Sequence, residues 1–315
     1  MIERPDADAL LAGPLGQWLA DQSGLRERTR AKVTHRFVAA VVLAAAVAFA
    51  MVVSGGPVVG ALQIGALIGA GGWLWGEWTK RPVVNRIKEG INSAIARALG
   101  LSYSLAVADR RDFDRALRFA MLPTHDKATL EDAWWGEVGG RPFRLHEAKL
   151  TEERGSGKSR RTVTVFQGAI MSVGFARSFS GTTLIERNGQ HDGLLGLFGR
   201  KRDSAEIGGL PLTRMDMVDP RFNDEFDVWT NDPVEAQYLV HPEYVERLVA
   251  LESAFTARKL RALFRDGELL VVFEAGNEFE TGSLDSGDDR HHLQQAIAHF
   301  SALADLAVRL NERGR

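Results

Sequence analysis

From Phe37 to Val53 the chain has no charged and no polar side chain, and from Val58 to Trp75 it has only Gln63. Between the two runs stands the short connector Ser54-Gly55-Gly56-Pro57. Each run holds about 17–18 residues, which as a helix extend about 26–27 Å, close to the ~30 Å hydrocarbon core of a bilayer. A helix buried in a soluble protein usually keeps a polar stripe, and neither run has one. The pattern therefore predicts two membrane spans joined as a hairpin, in preference to the core hairpin of a soluble protein or a re-entrant loop. A cleaved signal peptide does not fit, because more than thirty residues precede the first run and a second apolar run follows at once.

The flanks predict the orientation, since Lys and Arg collect on the cytoplasmic side of spanning helices. Arg26, Arg28, Arg30, Lys32 and Arg36 precede the first span, and Lys80, Arg81, Arg86 and Lys88 follow the second. Both termini are expected in the cytoplasm. Trp73, Trp75 and Trp78 stand where the second span would leave the lipid, a position that suits amphipathic rings. Small residues recur four apart at Ala40, Ala44 and Ala48, at Gly65 and Gly69, and at Gly72 and Gly76. Such spacing lets backbones approach closely in lipid, either one arm of the hairpin on the other or one copy of the chain on a second.

Before the spans, Pro5 to Gly24 is partly amphipathic and broken at Gly13-Pro14, and Leu25–Arg36 reads as a basic helix entering the first span. After them, Val83, Val84, Ile87, Ile91, Ile95 and Leu99 recur at helical spacing, which predicts an amphipathic helix over Pro82–Leu99 stopped by Gly100. Leu101–Val107 alternates like a strand, and Asp112–Met121 returns to helical spacing. Thr129–Val138, Pro142–Glu152, Arg161–Phe175 and Thr182–Arg187 are β-rich and separated by Gly-containing turns too short for parallel crossovers, so an antiparallel meander is expected. Asn188–Gly209 reads as a Gly- and charge-rich loop, with Leu195, Leu197 and Phe198 as exposed contact candidates. Asp232-Pro233-Val234-Glu235 has the form of a capped helix start, with Glu235 reaching back to the cap. His241-Pro242 opens a further helix carrying Tyr244, Leu248, Leu251 and Phe255. Asp266-Gly267 is a two-residue hairpin signal between Lys259–Arg265 and Glu268–Glu274, and a terminal helix is expected over about Asp289–Arg313.

These elements sum to an α+β fold class: an N-terminal transmembrane hairpin, then a cytoplasmic domain with helices packed on an antiparallel sheet. The expected division is a cytoplasmic segment 1–36, the hairpin 37–78 with spans at about 37–53 and 58–75, a juxtamembrane helix 79–100 and the soluble domain 101–315. With 39 basic and 41 acidic side chains the chain is near neutral, which gives no reason to expect nucleic acid. The absence of cysteine removes disulfides, thiolate catalysis and cysteine-based zinc sites.

One set of positions resembles a known family. The order Phe166-Gln167-Gly168, Phe175-Ala176-Arg177, Phe179 and Gly181-Thr182-Thr183 is similar to the first motif block of the bacterial family catalogued as domain of unknown function 3137. Asp219-Pro220-Arg221-Phe222, Phe226, Val228, Asp232, Glu235-Ala236, Tyr238 and Pro242 resemble its second block. Trp229-Thr230 stands where the family tends to have Tyr-Ser, and Gln237 where it has Arg. The resemblance covers roughly Asp109 to the end and implies two spans ahead of the domain and an inner-membrane location. It implies no reaction. By their own chemistry these residues read as structure: Gly168 as a bulge or a close strand contact, the Phe residues as core, and Asp232 and Glu235 as a helix cap.

The remaining chemistry is sparse. Gly155-Ser156-Gly157-Lys158-Ser159 resembles the end of a phosphate-binding loop, but Glu152 occupies the place of its first glycine and the segment joins two strands. His291-His292 beside Asp288-Asp289, with His299 further on, lacks a compact metal-ligand motif. No serine lies in a nucleophile elbow, His125 and His146 read as surface or satisfied histidines, and Asp224-Glu225 as surface charge. No catalytic residue, cofactor or metal is assigned. The expected function is a membrane-anchored binding or scaffold domain whose partners are the bilayer and a protein, lipid headgroup or small ligand. The alternative is a membrane-bound, hydrolase-like enzyme acting on a membrane-proximal substrate.

Overall fold

The computed structural model describes residues 4–175, 179–188, 203–218, 220–240, 258–276 and 279–311. The chain divides into two units that are each discontinuous in sequence. A helical unit holds Pro5–Ala94 and Glu280–Gln295, and a sheet unit holds Met1–Arg4, Ile95–Phe279 and Ala296–Arg315.

The helical unit opens with α1 (Ala7–Ala12), capped by the Asp6 carboxylate on the Asp8 amide, and α2 (Pro14–Asp21), which starts at a proline where a missing N–H costs nothing. Helix α3 (Ser23–Val53) carries the basic segment into the first apolar run without a break. Helix α4 (Val58–Ala98) does the same on the far side of the Ser54–Pro57 turn, and in doing so differs from the expected separate span and amphipathic helix. Pro82 lies inside it. Proline deprives only one carbonyl of its helical donor, and Pro82 is exposed, so surrounding solvent can satisfy that group. Two close approaches fix the packing of this unit. A Cβ at Gly90 would collide with the Trp18 ring of α2, and one at Gly72 would collide with the Ala40 side chain of α3.

The sheet unit is built on ten strands among the described residues, in the order β1-β2-β3-β4-β10-β9-β5-β8-β7-β6, with every neighbouring pair antiparallel. Strand β1 (Leu101–Ala106) is followed by helix α5 (Arg111–Arg118), and β2 (Lys127–Val138), β3 (Arg141–Arg154) and β4 (Arg161–Gly174) then form a meander. Strand β5 (Thr183–Arg187) is not the next neighbour of β4, contrary to the expected order. The hairpin of β9 (Arg258–Arg265) and β10 (Glu268–Glu274) lies between them. The connector needs to cover about 14 Å across three strand spacings, well within the reach of residues 175–182.

The segment expected as one loop over Asn188–Gly209 contains β6 (Ser204–Ile207), which turns at Gly208-Gly209 into β7 (Leu210–Met215). Both turn glycines have positive φ, as do Gly139 and Gly140 between β2 and β3, the backbone that a right-twisted two-residue hairpin requires. Residues 189–202, with Leu195, Leu197 and Phe198, lie outside the described residues, and so does the helix expected after His241-Pro242. Helix α6 (Pro220–Glu225), strand β8 (Phe226–Thr230), helix α7 (Pro233–Leu239) and helix α8 (Asp289–Asn311) complete the unit's described elements, the first turns of α8 counting with the helical unit.

Both faces of the central strands are buried, which is why β10 is an apolar run from Leu269 to Phe273 in place of an alternating one. On one face Phe113, Ala116 and Phe119 from α5 and its exit join Leu150, Phe166, Ile170, Leu184, Trp229, Leu263, Leu270 and Val272 in one core. On the other, Trp134 packs against Phe279 and Phe300 at centroid distances of 5.3 and 4.6 Å, and Phe143 meets Phe300 at 5.8 Å. Each such ring removes enough apolar area from water to contribute about 1.5–3 kcal/mol.

Candidate functional site

Helices α3 and α4 supply the most conspicuous surface. Both are long and apolar enough to cross a membrane: their most apolar stretches have mean hydropathies of 2.5 and 1.5, with 0% and 11% of their residues buried. Phe49 is 71% exposed, Leu67 72% and Trp78 73%. Within the hairpin the small residues serve arm-to-arm contact: Gly72 lies on Ala40, a Cβ at Gly76 would lie 3.4 Å from the Val33 side chain, and one at Gly65 would lie 3.9 Å from the Ala44 carbonyl. At the basic end the Arg36 guanidinium lies 4.6 Å from the centre of the Trp75 ring and hydrogen-bonds the Thr79 hydroxyl, which itself donates to the Trp75 carbonyl.

The two motif blocks come together in the sheet unit. The Glu235 carboxylate accepts from the backbone amides of Ser180 and Gly181 at 3.0 and 2.7 Å, and the Asn231 side chain accepts from Thr182 at 2.7 Å. Asp232 alone caps α7, accepting from the Glu235 amide at 3.0 Å, so Glu235 spans two segments instead of closing a capping box. Gly181 is required by this closeness, since a Cβ there would strike the Glu235 carboxylate and the Asp232 side chain. Gly168 is a close strand contact, because a Cβ would strike the Phe273 carbonyl of β10. Phe166, Phe179, Phe222, Phe226 and Ala236 are buried. Phe175 and Phe179 meet each other and Phe264 edge-on at 5.5–6.0 Å, and Phe222 stacks on Phe226 at 5.2 Å. Tyr238 is exposed. Pro220 begins α6. Asp219 and Pro242 lie outside the described residues.

Two charged clusters in the same unit had no sequence signal, because each takes its members from several elements. In the first, Arg144 of β3 clasps Asp112 of α5 through two bonds of 2.7 and 3.0 Å and reaches Ser172 of β4 at 2.9 Å and Glu268 of β10 at 2.9 Å. Arg115 adds a bond of 2.8 Å to Glu268. The hydrogen bonds that Arg144 donates to Asp112 outweigh burial and raise the Arg144 pKa. Burial alone would raise Glu268, but the two guanidiniums hold its carboxyl below the usual range. Beside this cluster His146 is buried, and its Nε2 has no hydrogen-bond partner among the described residues, unlike the surface or satisfied histidine expected. Burial lowers its pKa to about 4, against the opposing pull of Asp112 and Asp109.

In the second cluster Glu186 and Asp227 face each other across β5 and β8, both buried. The Trp229 indole donates to Glu186 at 2.9 Å, Arg214 pairs with Asp227, and Arg261 donates to the Met121 carbonyl. Burial lowers the Arg261 pKa, and the charges of Glu186 and Glu274 oppose that shift.

The weaker sequence candidates resolve into ordinary contacts. Gly155–Ser159 is the tip between β3 and β4, with a single 3₁₀ turn over Gly157–Ser159. Asp289 pairs with Arg26 and Asp288 accepts from the Ser283 hydroxyl. Among the described residues no group of three His, Asp or Glu side chains has the arrangement to hold a metal ion.

No curated protein matches the chain. The crystal structure of the mycobacterial trehalose monomycolate transport factor A, TtfA, aligns over 74% of this chain and 98% of its own, at 11% identity and a TM-score of 0.32. A family profile matches residues 164–312, a stretch that starts in β4, ends past α8 and contains both blocks joined by Glu235. The family of that profile is described as Protein of unknown function (DUF3137), and residues 164–312 of the chain are similar to it.

Proposed function

We propose that the chain is an inner-membrane protein in which α3 and α4 span the bilayer as a hairpin and both termini lie in the cytoplasm. The sheet unit then serves as a tethered binding or scaffold domain for a protein, lipid headgroup or small ligand. The observation that carries this reading is the exposure of uninterrupted apolar helix surface. In water it would be an apolar patch far larger than monomeric proteins expose, whereas in lipid it is already in its preferred solvent. The basic residues that precede the apolar run of α3 and follow that of α4 support the orientation. Within the sheet unit Arg144, Asp112, Arg115 and Glu268 are engaged with one another and hold α5 to the sheet.

Alkaline carbonate washing of membranes, followed by protease treatment of intact cells and of inside-out vesicles, tests the placement. The chain is expected to stay in the carbonate pellet, to dissolve only with detergent, and to lose its carboxyl-terminal portion only in the inverted vesicles. Release by carbonate, or digestion from outside intact cells, would overturn it. Cross-linking in intact cells tests the binding role, for which recovery of one protein at fixed stoichiometry is expected.

A further inference from the structure

The basic stretch ahead of the first span is divided by helical geometry into two faces with different uses. Arg26 and Arg30, four apart, point the same way and are ion-paired, with Asp289 at 2.7 Å and Asp285 at 3.0 Å. Arg28 and Lys32, each two residues further on, are turned about 200° from them. Both are exposed, and neither has an ion-pair partner among the described residues. The same division recurs on α4. Lys80 is paired with Glu77 and Lys88 with Glu280, while Arg81 is exposed and without an ion-pair partner among the described residues.

The heights of these side chains match a lipid headgroup layer. The contacts of Val33 with Gly76 and of Ala40 with Gly72 set the two helices antiparallel, which brings Arg81 to a level between Arg28 and Lys32. Taking Phe37 as the last residue in hydrocarbon, Lys32 lies about 7 Å, Arg81 about 10 Å and Arg28 about 13 Å beyond it along the helix. A headgroup layer is roughly 5–7 Å deep, Lys and Arg side chains extend toward it, and its potential decays over about one Debye length of 8–10 Å. Arg86, about 20 Å beyond by the same count, is too distant. Arg36, bound to Trp75 and Thr79, joins the helices at the border itself.

We propose that Arg28 and Lys32 of α3 and Arg81 of α4 form a collar that binds the anionic headgroups of the inner leaflet. The site rests on the membrane-spanning reading and adds a lipid class to it. Occupancy by the bilayer is favoured over an acidic protein because the stripe continues without a break into the apolar surface of α3.

The test uses the full chain reconstituted in vesicles of phosphatidylcholine and phosphatidylglycerol, with either lipid brominated so that it quenches the exposed Trp73, Trp75 and Trp78. Brominated phosphatidylglycerol is expected to quench the more strongly at equal mole fraction, with an association preference of about fivefold per engaged cation. That preference should vanish in the R28Q/K32Q/R81Q variant and in high salt, persist in R86Q, and be unaffected by millimolar inorganic phosphate. Because the three residues are exposed and unpaired, the variant should keep the parent's thermal unfolding; if it does not, R28K/R81K, which keeps the charge, must retain the preference. Equal quenching by the two lipids in the parent chain would overturn the collar and leave the spans intact. No quenching by either lipid would overturn the spans and the collar with them. Binding of polyglutamate without any lipid preference would reassign the stripe to an acidic protein, and loss of the preference in R86Q would refute the assigned heights.

Discussion

At the scale of single residues, Gly181 and Glu235 show what a motif position can mean. The carboxylate accepts two backbone amides from another segment, and charge-assisted bonds of this kind contribute about 1.5–3 kcal/mol each. Gly181→Ala inserts a methyl group where that carboxylate sits, so the sheet unit is expected to lose about 2–3 kcal/mol, read from urea unfolding of the full chain in detergent. Glu235→Ala removes the same contact from the other side. The double variant should therefore cost little more than either single one, and full additivity would show that the clamp is not a unit. His146 gives the residue scale a pH signature. Its folded pKa is lowered from 6.5 to about 4, so between those values the unfolded chain binds the additional proton. The stabilisation is complete above pH 6.5 and disappears as pH falls toward 4, a loss of about 3 kcal/mol in total. His146→Gln should flatten that slope in thermal unfolding measured from pH 7 to pH 4.5, whatever it does to the absolute stability. An unchanged slope would mean that His146 protonates without cost in the folded state.

At the scale of elements, what the sequence discloses depends on whether the physics is local. The two long apolar helices were legible because each rests on an unbroken apolar run, a property of consecutive residues. The β9–β10 hairpin was legible from Asp266-Gly267, where both φ values are positive as the turn requires. The β6–β7 hairpin obeys the same rule at Gly208-Gly209, but its strands are short and it follows a Gly- and charge-rich stretch, so its turn has no signal distinct from the loop before it. The order β4-β10-β9-β5 could not be read, because the pairing of Gly168–Gly174 with Glu268–Glu274 depends on side chains a hundred residues apart finding one core. The motif residues were visible as a pattern, yet the contact of Glu235 with Ser180 and Gly181 was not, since capping chemistry predicts only partners within the same turn. Arg144 is the limiting case. Its partners Asp112, Ser172 and Glu268 lie on three different elements, and no local spacing announces them.

At the scale of the whole molecule, the chain returns to its beginning: Glu280–Gln295 belongs with Pro5–Ala94 in the helical unit. The strongest bond of that return is the buried pair of Arg26 and Asp289, held by two parallel hydrogen bonds of 2.7 and 2.9 Å. Arg30 with Asp285, Arg290 with Asp8, and the Thr281 hydroxyl on the Asn92 side chain at 3.0 Å accompany it. The backbone amide of Gly287 and the Arg30 charge hold the Asp285 carboxyl below the usual range, so it stays ionised for its partner. Exposed pairs contribute little, whereas breaking a buried pair leaves a charge without compensation at a cost of about 3–5 kcal/mol. Asp289→Ala is therefore expected to speed amide exchange across residues 280–295 by about two to four orders of magnitude, following from that loss. Arg26→Met with Asp289→Leu replaces both charges by apolar groups, and it should restore most of the protection because desolvation no longer opposes burial. Recovery in the double variant would identify the pair as a device of specificity, selecting which segment closes the helical unit. Equal exchange in the parent chain and in Asp289→Ala would show instead that packing alone, such as Trp18 on Gly90, holds this return in place.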